Sequence, residues 1–382
     1  MPRGALFASS EEMRLFLVAL LALHGALHLL GFLHAWKLAA LPGLSGQTTL
    51  PLSPGSVRVA GVLWLLACLI FVAAAVLAFL RHDAWWMLAA PGLVLSQALI
   101  VLQWQDAKAG SVANALILLA VVVGFATSRF ERATAEHVRS LLAEAREGPR
   151  APVSEQDIGQ LPEPVQRWLR ASSVLGKERV RSVRLTQRGT LRTAADQKGM
   201  PATAEQYFSV EPPAFVWAVD VVMFGVIPVV GRDRYSGGHG HMLIRGASLF
   251  TLADARGPNI DQGTLLRFLG ETVWFPSAAL SDVIRWQPLD ATRARASMSY
   301  AGVSASAVFV FDERGRFSAL EAERYFERGG VSTLEPWRVT AEQWKSFSGV
   351  EVPVRGRVTW RLQSGDFEYY VWEIVDLEYD PL

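Results

Sequence analysis

Hydrophobic and polar positions follow two different rules along this chain. From residue 14 to residue 127 apolar side chains run almost unbroken. Four stretches, 15–36, 57–80, 85–104 and 111–127, reach or approach the about 20 residues that carry a helix across a bilayer. Trp36, Trp85, Trp86 and Trp104 sit at the ends of these stretches, where interfacial anchors belong. The sequence APG at residues 90–92 predicts a kink in the third stretch. The first is too long for the apolar core of a cleaved leader, lacks a small-residue cleavage pattern, and is followed by three more, so it is expected to remain as a span.

After the fourth stretch, RFERATAEHVRSLLAEAREG keeps helical spacing, with Val138, Leu141, Leu142 and Ala145 on one stripe. That pattern predicts an amphipathic helix running along a membrane surface. GPRAP, at residues 148–152, breaks it and marks a linker. Residues 154–172 then read as short helices, with Pro164 near a start and Trp168 and Leu169 as apolar anchors.

From there the period becomes two. Val183, Leu185 and Leu191 alternate with Arg184, Thr186, Arg188 and Arg192. Ala294, Ala296, Met298 and Tyr300 alternate with Arg293, Arg295 and Ser297, and Val354, Val358, Trp360 and Leu362 with Arg355, Arg357, Thr359 and Arg361. These are strands with one buried face. The short connectors at Ala301, Asp312 and Arg328 predict an antiparallel meander. One segment departs from this: Leu265, Leu266, Phe268, Leu269, Val273 and Trp274 fall at helical spacing, so a long helix is expected near 259–280. Asp261 suits its positive start, and Arg267 and Glu271, four apart, are placed to pair on its surface. Five or six strands before this helix and about seven after it make a sheet that must curl or be covered. The expected architecture is a four-helix transmembrane domain over 1–128, an amphipathic helix and linker over 129–153, and an α+β domain over 154–382. The last is a strongly curved antiparallel sheet, a half-barrel, with helices in its concave face.

Composition sharpens this division. The chain has 382 residues, 51% hydrophobic and 19% charged, with a net charge of +1. Neither half has the basic bias of a nucleic-acid binder, so no nucleic-acid partner is expected. Its single cysteine, Cys68, cannot form a disulfide within the chain. Arg3, Arg14, Arg81, Arg129, Arg132, Arg139 and Arg146 fall on the side that holds both termini, against Lys37, Arg58 and Lys108 on the other. That bias predicts a cytoplasmic-membrane protein with both termini and the C-terminal domain in the cytoplasm.

The first apolar stretch also carries His24, His28 and His34. His24 and His28 are four apart and share a helix face. Counting residues from the span ends places His28 and Gln97 at similar depth, with Asn114, Asp106 and Lys108 nearer the outer surface, beside His34. His24, His28, Gln97, Asp106 and Asn114 therefore form a candidate intramembrane polar cluster, either interhelical glue or a small pocket for a ligand or proton. In the second half, Glu271 with Leu265, Phe268 and Trp274 forms a candidate ligand surface on the long helix, where desolvation would raise the Glu271 pKa. His239 and His241 are two apart and too few for a zinc site. No nucleophile–base, cofactor or metal motif appears, so no catalytic residue, cofactor or metal is assigned.

The chain resembles an uncharacterised family of bacterial membrane proteins that carry a domain of unknown function. The residues behind the resemblance are HGALHLLGF, QWQDAKAGSVAN, LPEPVQRWLRAS, AEQYFSVEPPAFVW, IDQGTLLRFLGETVWFPSAALSD, SASAVFVFDERGRF and DLEYD, which spread over nearly the whole chain. The order of helix, strands, helix and meander also resembles the half-barrel of bacterial lipoprotein carriers and related lipid-binding proteins. That likeness implies an apolar ligand, although those carriers are periplasmic and the charge bias here points to the cytoplasm. Three functions remain open: a non-enzymatic binding protein for a lipid or acyl chain beside the membrane, a membrane enzyme or redox or proton protein working through His24, His28, Gln97 and Asp106, and a regulator whose β domain docks a protein partner.

Overall fold

The structure is a computed structural model that describes residues 8–145, 151–225 and 227–381. Arg3, Arg146 and most of the 148–152 linker lie outside the described residues. Its contacts divide the chain into two compact units, Met1–Glu131 and Arg132–Leu382.

The first unit holds α1 (Ala8–Ala35), α2 (Pro54–Phe79), α3 (Trp85–Leu102), the short α4 (Trp104–Ala107) and most of α5 (Gly110–Glu144). α1, α2, α3 and α5 are each long and apolar enough to cross a membrane. α3 holds Pro91, the site of the expected kink, in its interior. Small residues let α1 and α2 approach closely: a side chain on Gly31 would run into the Trp64 ring, and one on Gly61 into Ala35 and Trp36. α5 is a single helix that carries on past residue 127 to Glu144, so the fourth apolar stretch and the amphipathic stripe are one element.

The second unit opens with α6 (Glu155–Ile158) and α7 (Glu163–Ala171). Ser154 and Asp157 cap α6 reciprocally. Six strands follow: β1 (Ser182–Leu191), β2 (Met200–Ser209), β3 (Ala214–Met223), β4 (Ile227–Ser236), β5 (His239–Gly246) and β6 (Phe250–Ala255). After α8 (Pro258–Glu271) come seven more: β7 (Ile284–Pro288), β8 (Arg293–Tyr300), β9 (Val303–Phe311), β10 (Phe317–Arg328), β11 (Val331–Phe347), β12 (Val350–Leu362) and β13 (Gly365–Tyr379). They form one 13-stranded sheet in which β1 pairs with β13, so the two halves join at the middle and β6 and β7 lie at the edges. Every pairing is antiparallel. The sheet curls into a half-barrel, as a sheet this wide must. Its turns are sequence-encoded: Ala301 and Gly302 take φ of 50° and 82°, and Gly329 and Gly330 take 61° and 80°, the left-handed pairs that tight hairpins require.

α8 lies in the concave face, against β4 and β5 on one side and β8, β9 and β10 on the other. It is shorter than expected. The helix ends at Glu271, and Thr272–Trp274 and Pro276–Leu280 continue as two 3-10 turns. Pro276 accounts for the break, since it has no N–H to donate and crowds the preceding turn. On the outer face, Val138, Leu141 and Leu142 of α5 pack on Tyr207, Ala214 and Val216.

Candidate functional site

Strand alternation separates the inner face of the half-barrel from the outer. On β2, β3 and β4 the inward positions pair in register: Phe208 with Phe215 and Tyr235, Gln206 with Trp217 and Asp233, Ala202 with Val221 and Val229. At the end nearest α7 this face is filled. Phe208, Phe268, Phe275 and Trp274 form a ring cluster with centroids 4.9–6.4 Å apart. Leu265 is 0% exposed, Phe268 1% and Trp274 5%. The expectation that these three line a ligand cavity is therefore corrected: they belong to the packed core, with Trp274 itself in the turns that follow α8 and pack on Phe208 and Phe268.

Glu271 lies at the margin of that core, inside a network that sequence spacing did not predict. Arg267 Nε donates to Glu271 Oε1 at 2.8 Å, its Nη1 to Asp233 Oδ2 at 2.8 Å and its Nη2 to Gln206 Oε1 at 3.3 Å. Gln206 Nε2 donates to Glu271 Oε2 at 2.7 Å. The guanidinium also lies 5.0 Å from the Phe215 ring centroid and 4.7 Å from that of Trp217. The expected surface pair of Arg267 and Glu271 is thus largely withdrawn from solvent, the two side chains 16% and 14% exposed. Burial pushes the Glu271 carboxyl above its ordinary range, against the pull of Arg267. Burial acts against the Arg267 cation too, but the Glu271 and Asp233 carboxylates outweigh it and hold the guanidinium charged. Trp217 Nε1 and the Tyr370 hydroxyl both donate to Gln187 Oε1, which extends the polar seam across the sheet.

Beyond this seam the inner face changes character. On β1–β5, buried Ala202, Ala204, Val219, Val221 and Val229 pack with half-buried Leu191, Met200, Met223 and Ile244. On β10–β13, Trp337 and Trp360 sit among half-buried Arg324, Phe326, Leu362, Phe367 and Tyr369. The turns at this end expose large apolar residues: Phe224 is 80% exposed at the β3–β4 turn and Phe250 69% at the start of β6. Arg324 had a readable signal. In EAERYFER, Ala322, Arg324 and Phe326 share one face of the strand and Glu321, Glu323, Tyr325 and Glu327 the other, so a cation stands in the apolar register. A groove of about 390 Å³ opens elsewhere, on the outer face of β8–β12, lined by Arg295, Glu321, Glu323, Arg338 and Arg361 among others. Charges of both signs line it, which does not suit an apolar ligand.

The helical unit holds a second polar group. His28 Nδ1 lies 2.6 Å from the His24 carbonyl oxygen, which can only accept, so that nitrogen carries the proton. A neutral His28 ring then accepts at Nε2 from the Ser96 hydroxyl, 2.8 Å away. Asn114 Nδ2 donates to Ser96 Oγ at 3.0 Å and to Gln97 Oε1 at 2.9 Å. His24 Nε2 donates to Asn114 Oδ1 at 2.8 Å, and Gln97 Nε2 to Ser111 Oγ at 3.1 Å. The structure thus brings His24, His28 and Asn114 together at Ser96, which sequence reasoning missed, and Gln97 joins them through Asn114. His28 meets Ser96 rather than Gln97, and Asn114 meets His24 rather than His34. Asp106 stands apart: it binds the α1–α2 loop, accepting from the Ser45 backbone N–H at 3.0 Å and the Gly46 N–H at 2.8 Å. His239 and His241 face different carboxylates, Asp261 at 3.7 Å and Asp254 at 2.9 Å.

Residues 151–372, more than half of the chain, match the sequence profile of a family of unknown function, DUF6544. No curated protein sequence matches. Among solved structures, the chain is similar to a putative outer membrane lipoprotein-sorting protein domain from Vibrio parahaemolyticus, at 12% identity and a TM-score of 0.30, over 52% of this chain and 85% of that one. It is also similar to a LolA superfamily protein from Nitrosomonas europaea, at 11% identity and a TM-score of 0.30, over 64% and 94% of the two chains.

Proposed function

The chain belongs to the DUF6544 family, and on that premise we propose that it is a membrane-anchored, non-enzymatic binding protein whose half-barrel holds an apolar ligand such as a lipid or acyl chain. One observation carries this reading. The inner face is filled by its own core at the end near α7, yet at the other end it is lined by half-buried aromatic and aliphatic side chains with an exposed apolar rim. Soluble proteins keep such surface small unless something covers it, and a concave apolar lining with a few polar groups is the usual form of a small-ligand site. The filled end and the Arg267 seam make a rigid floor, and the lined end makes the ligand surface.

α1, α2, α3 and α5 serve as the anchor, with His24, His28, Ser96, Gln97 and Asn114 joining helices by hydrogen bonds where no water competes. The anchor lies in a bacterial cytoplasmic membrane with both termini inside the cell. A reporter fused after Leu382 is expected to behave as cytoplasmic, and activity of a periplasm-only reporter there would reverse that orientation. The binding reading is tested by native mass spectrometry of the full chain, gently extracted into detergent. A lipid or fatty acid retained by the protein is expected. A protein that carries none, and takes up none when acyl chains are added, would overturn the reading.

A further inference from the structure

Arg267 and Arg324 both stand on the inner face, and their surroundings are opposite. Arg267 is bracketed by two carboxylates and an amide oxygen, each within 3.3 Å. Arg324 lies over aromatic rings instead, its guanidinium 5.0 Å from the Trp337 centroid and 5.9 Å from that of Trp360. Its Nη1 donates to the Tyr369 hydroxyl oxygen at 3.3 Å, and Trp337 Nε1 donates to the same oxygen at 3.2 Å. Among the described residues no carboxylate forms an ion pair with Arg324, and Glu335, its cross-strand neighbour in register, is not paired to it. α8 passes Arg324 at Gly263, where a side chain's first carbon would stand at ordinary contact distance, 3.4 Å, from Arg324 Nε.

Donors and acceptors do not balance here. A guanidinium offers five N–H donors, and one is engaged by Tyr369. The Tyr369 oxygen takes two incoming hydrogen bonds, which uses both lone pairs and leaves its own O–H to donate outward. The group is therefore a cluster of donors around a positive charge, held in place by rings, with the Tyr369 oxygen as its hydrogen-bonded acceptor among the described residues. Phe326 packs on Trp360 at 5.0 Å, and Phe367 on Tyr369 at 6.2 Å, so the surface beside the donors is aromatic.

We infer that Arg324 and Tyr369 form the head-group site of the half-barrel, binding an oxyanion, carboxylate or phosphate, carried on an acyl chain that lies along Phe326, Trp360 and Phe367. This rests on the reading that the inner face binds an apolar ligand, and it names the class: a negatively charged amphiphile. Arg suits that role because its planar fork meets two oxygens of one anion at once. Arg267 has no such capacity, since its donors already face Asp233 and Glu271.

The test measures binding of dodecanoate, dodecyl phosphate, dodecanol and inorganic phosphate to the full chain in an uncharged detergent, by displacement of a fluorescent fatty-acid analogue. Dodecanoate or dodecyl phosphate is expected to bind about tenfold or more tightly than dodecanol, the gain of charge-assisted hydrogen bonds over a neutral head. Arg324→Gln should remove that advantage and change dodecanol binding by about twofold at most, since a neutral hydroxyl gains little from the charge, and an unchanged near-ultraviolet circular dichroism spectrum shows that the variant is folded. Tyr369→Phe, which keeps the ring and loses the O–H, should weaken dodecanoate several-fold and dodecanol not at all. Equal binding of charged and neutral chains, or an Arg324→Gln variant that keeps the preference, would overturn the assignment while leaving the binding reading intact. Inorganic phosphate that competes as well as dodecyl phosphate would also overturn it, by making the site one for a free anion. Failure of every chain to bind would instead contradict the binding reading itself.

Discussion

The two ends of the half-barrel's inner face are built from the same strands and the same alternation, yet they solve different problems. Near α7, Phe208, Phe215, Phe268 and Phe275 are fully buried against one another and against the turns that follow α8. At the other end, Phe326, Phe367 and Tyr369 stand inward from their strands, as Phe208 and Phe215 do, and remain half-buried. What differs is the filler. α8 ends at Glu271, and the two 3-10 turns double back over one end only. Residue type and strand parity give which face a side chain takes; which stretch of that face is covered depends on where an inserted helix stops.

The comparison is broken most forcefully at the seam between the two ends. Arg267→Met leaves Asp233 and Glu271 buried without their cation, and should cost about 3–5 kcal/mol of the β unit's stability. With the cation gone, burial of Glu271 is unopposed, so the loss should deepen as pH rises through the carboxylate range. Unfolding of the full chain in detergent, followed by near-ultraviolet circular dichroism at several pH values, reads both effects. A loss below about 1 kcal/mol, independent of pH, would mean that the seam is solvated and is not part of the packed floor.

Truncation of one ring at each end sharpens the contrast. Phe268→Ala should cost about 3–5 kcal/mol, as deletion of a fully packed ring does. Phe326→Ala should cost less than about 1.5 kcal/mol, because part of its ring has no protein partner to lose. Similar losses at both positions would mean that the two ends are packed alike.

A smaller effect is expected in the helical unit, which shows what polar groups do when no charge is involved. Ser96→Ala removes the residue through which His24, His28 and Asn114 meet, and interhelical hydrogen bonds in membranes average about 0.6 kcal/mol with a maximum near 1.7. A loss in that range, measured by unfolding in mixed micelles, fits interhelical glue. A larger loss, or loss of a cellular phenotype with stability intact, would give the cluster a different role.

The smallest effect belongs to Glu271→Gln, which keeps a hydrogen-bond partner for Gln206 and leaves Arg267 paired with Asp233. Its stability at neutral pH should lie within about 1 kcal/mol of the parent, since a pair remains. Burial holds the Glu271 proton more tightly in the folded chain than in the unfolded one. Its contribution is therefore full below the ordinary value of 4.5 and is lost as pH rises past the higher folded value. Glu271→Gln should remove that part of the pH slope, and an unchanged slope would place its origin elsewhere.

These particulars also show how much of the molecule was legible in its sequence. The four apolar helices, the 13 strands split six and seven around one helix, and the hairpin turns at Ala301–Gly302 and Gly329–Gly330 follow from periodicity and turn chemistry, which are local. The end of α8 was misjudged because Val273 and Trp274 keep an apolar rhythm after the helix has stopped, and a 3-10 turn presents a similar rhythm. Counting depth along a span brought His28 close to Gln97, but its partner is Ser96, one position earlier. Depth gives height and not azimuth, and each helical residue turns the face by about 100°. The Arg267 network was out of reach, because Gln206, Asp233 and Glu271 come from three elements up to 65 residues apart and meet only once the sheet curls. Arg324 was within reach: one cation in the inward register of an amphipathic strand is a local signal.

The most direct test of the account is to see where an acyl chain lies. A fatty acid carrying a photoreactive diazirine along its tail, bound to the full chain in detergent and activated by light, should label the peptides that contain Phe326, Trp360 and Phe367. Unlabelled dodecanoate should compete the labelling away. Label confined to α1, α2, α3 and α5, or spread evenly over the β unit and insensitive to competition, would contradict a ligand surface on the inner face of the half-barrel.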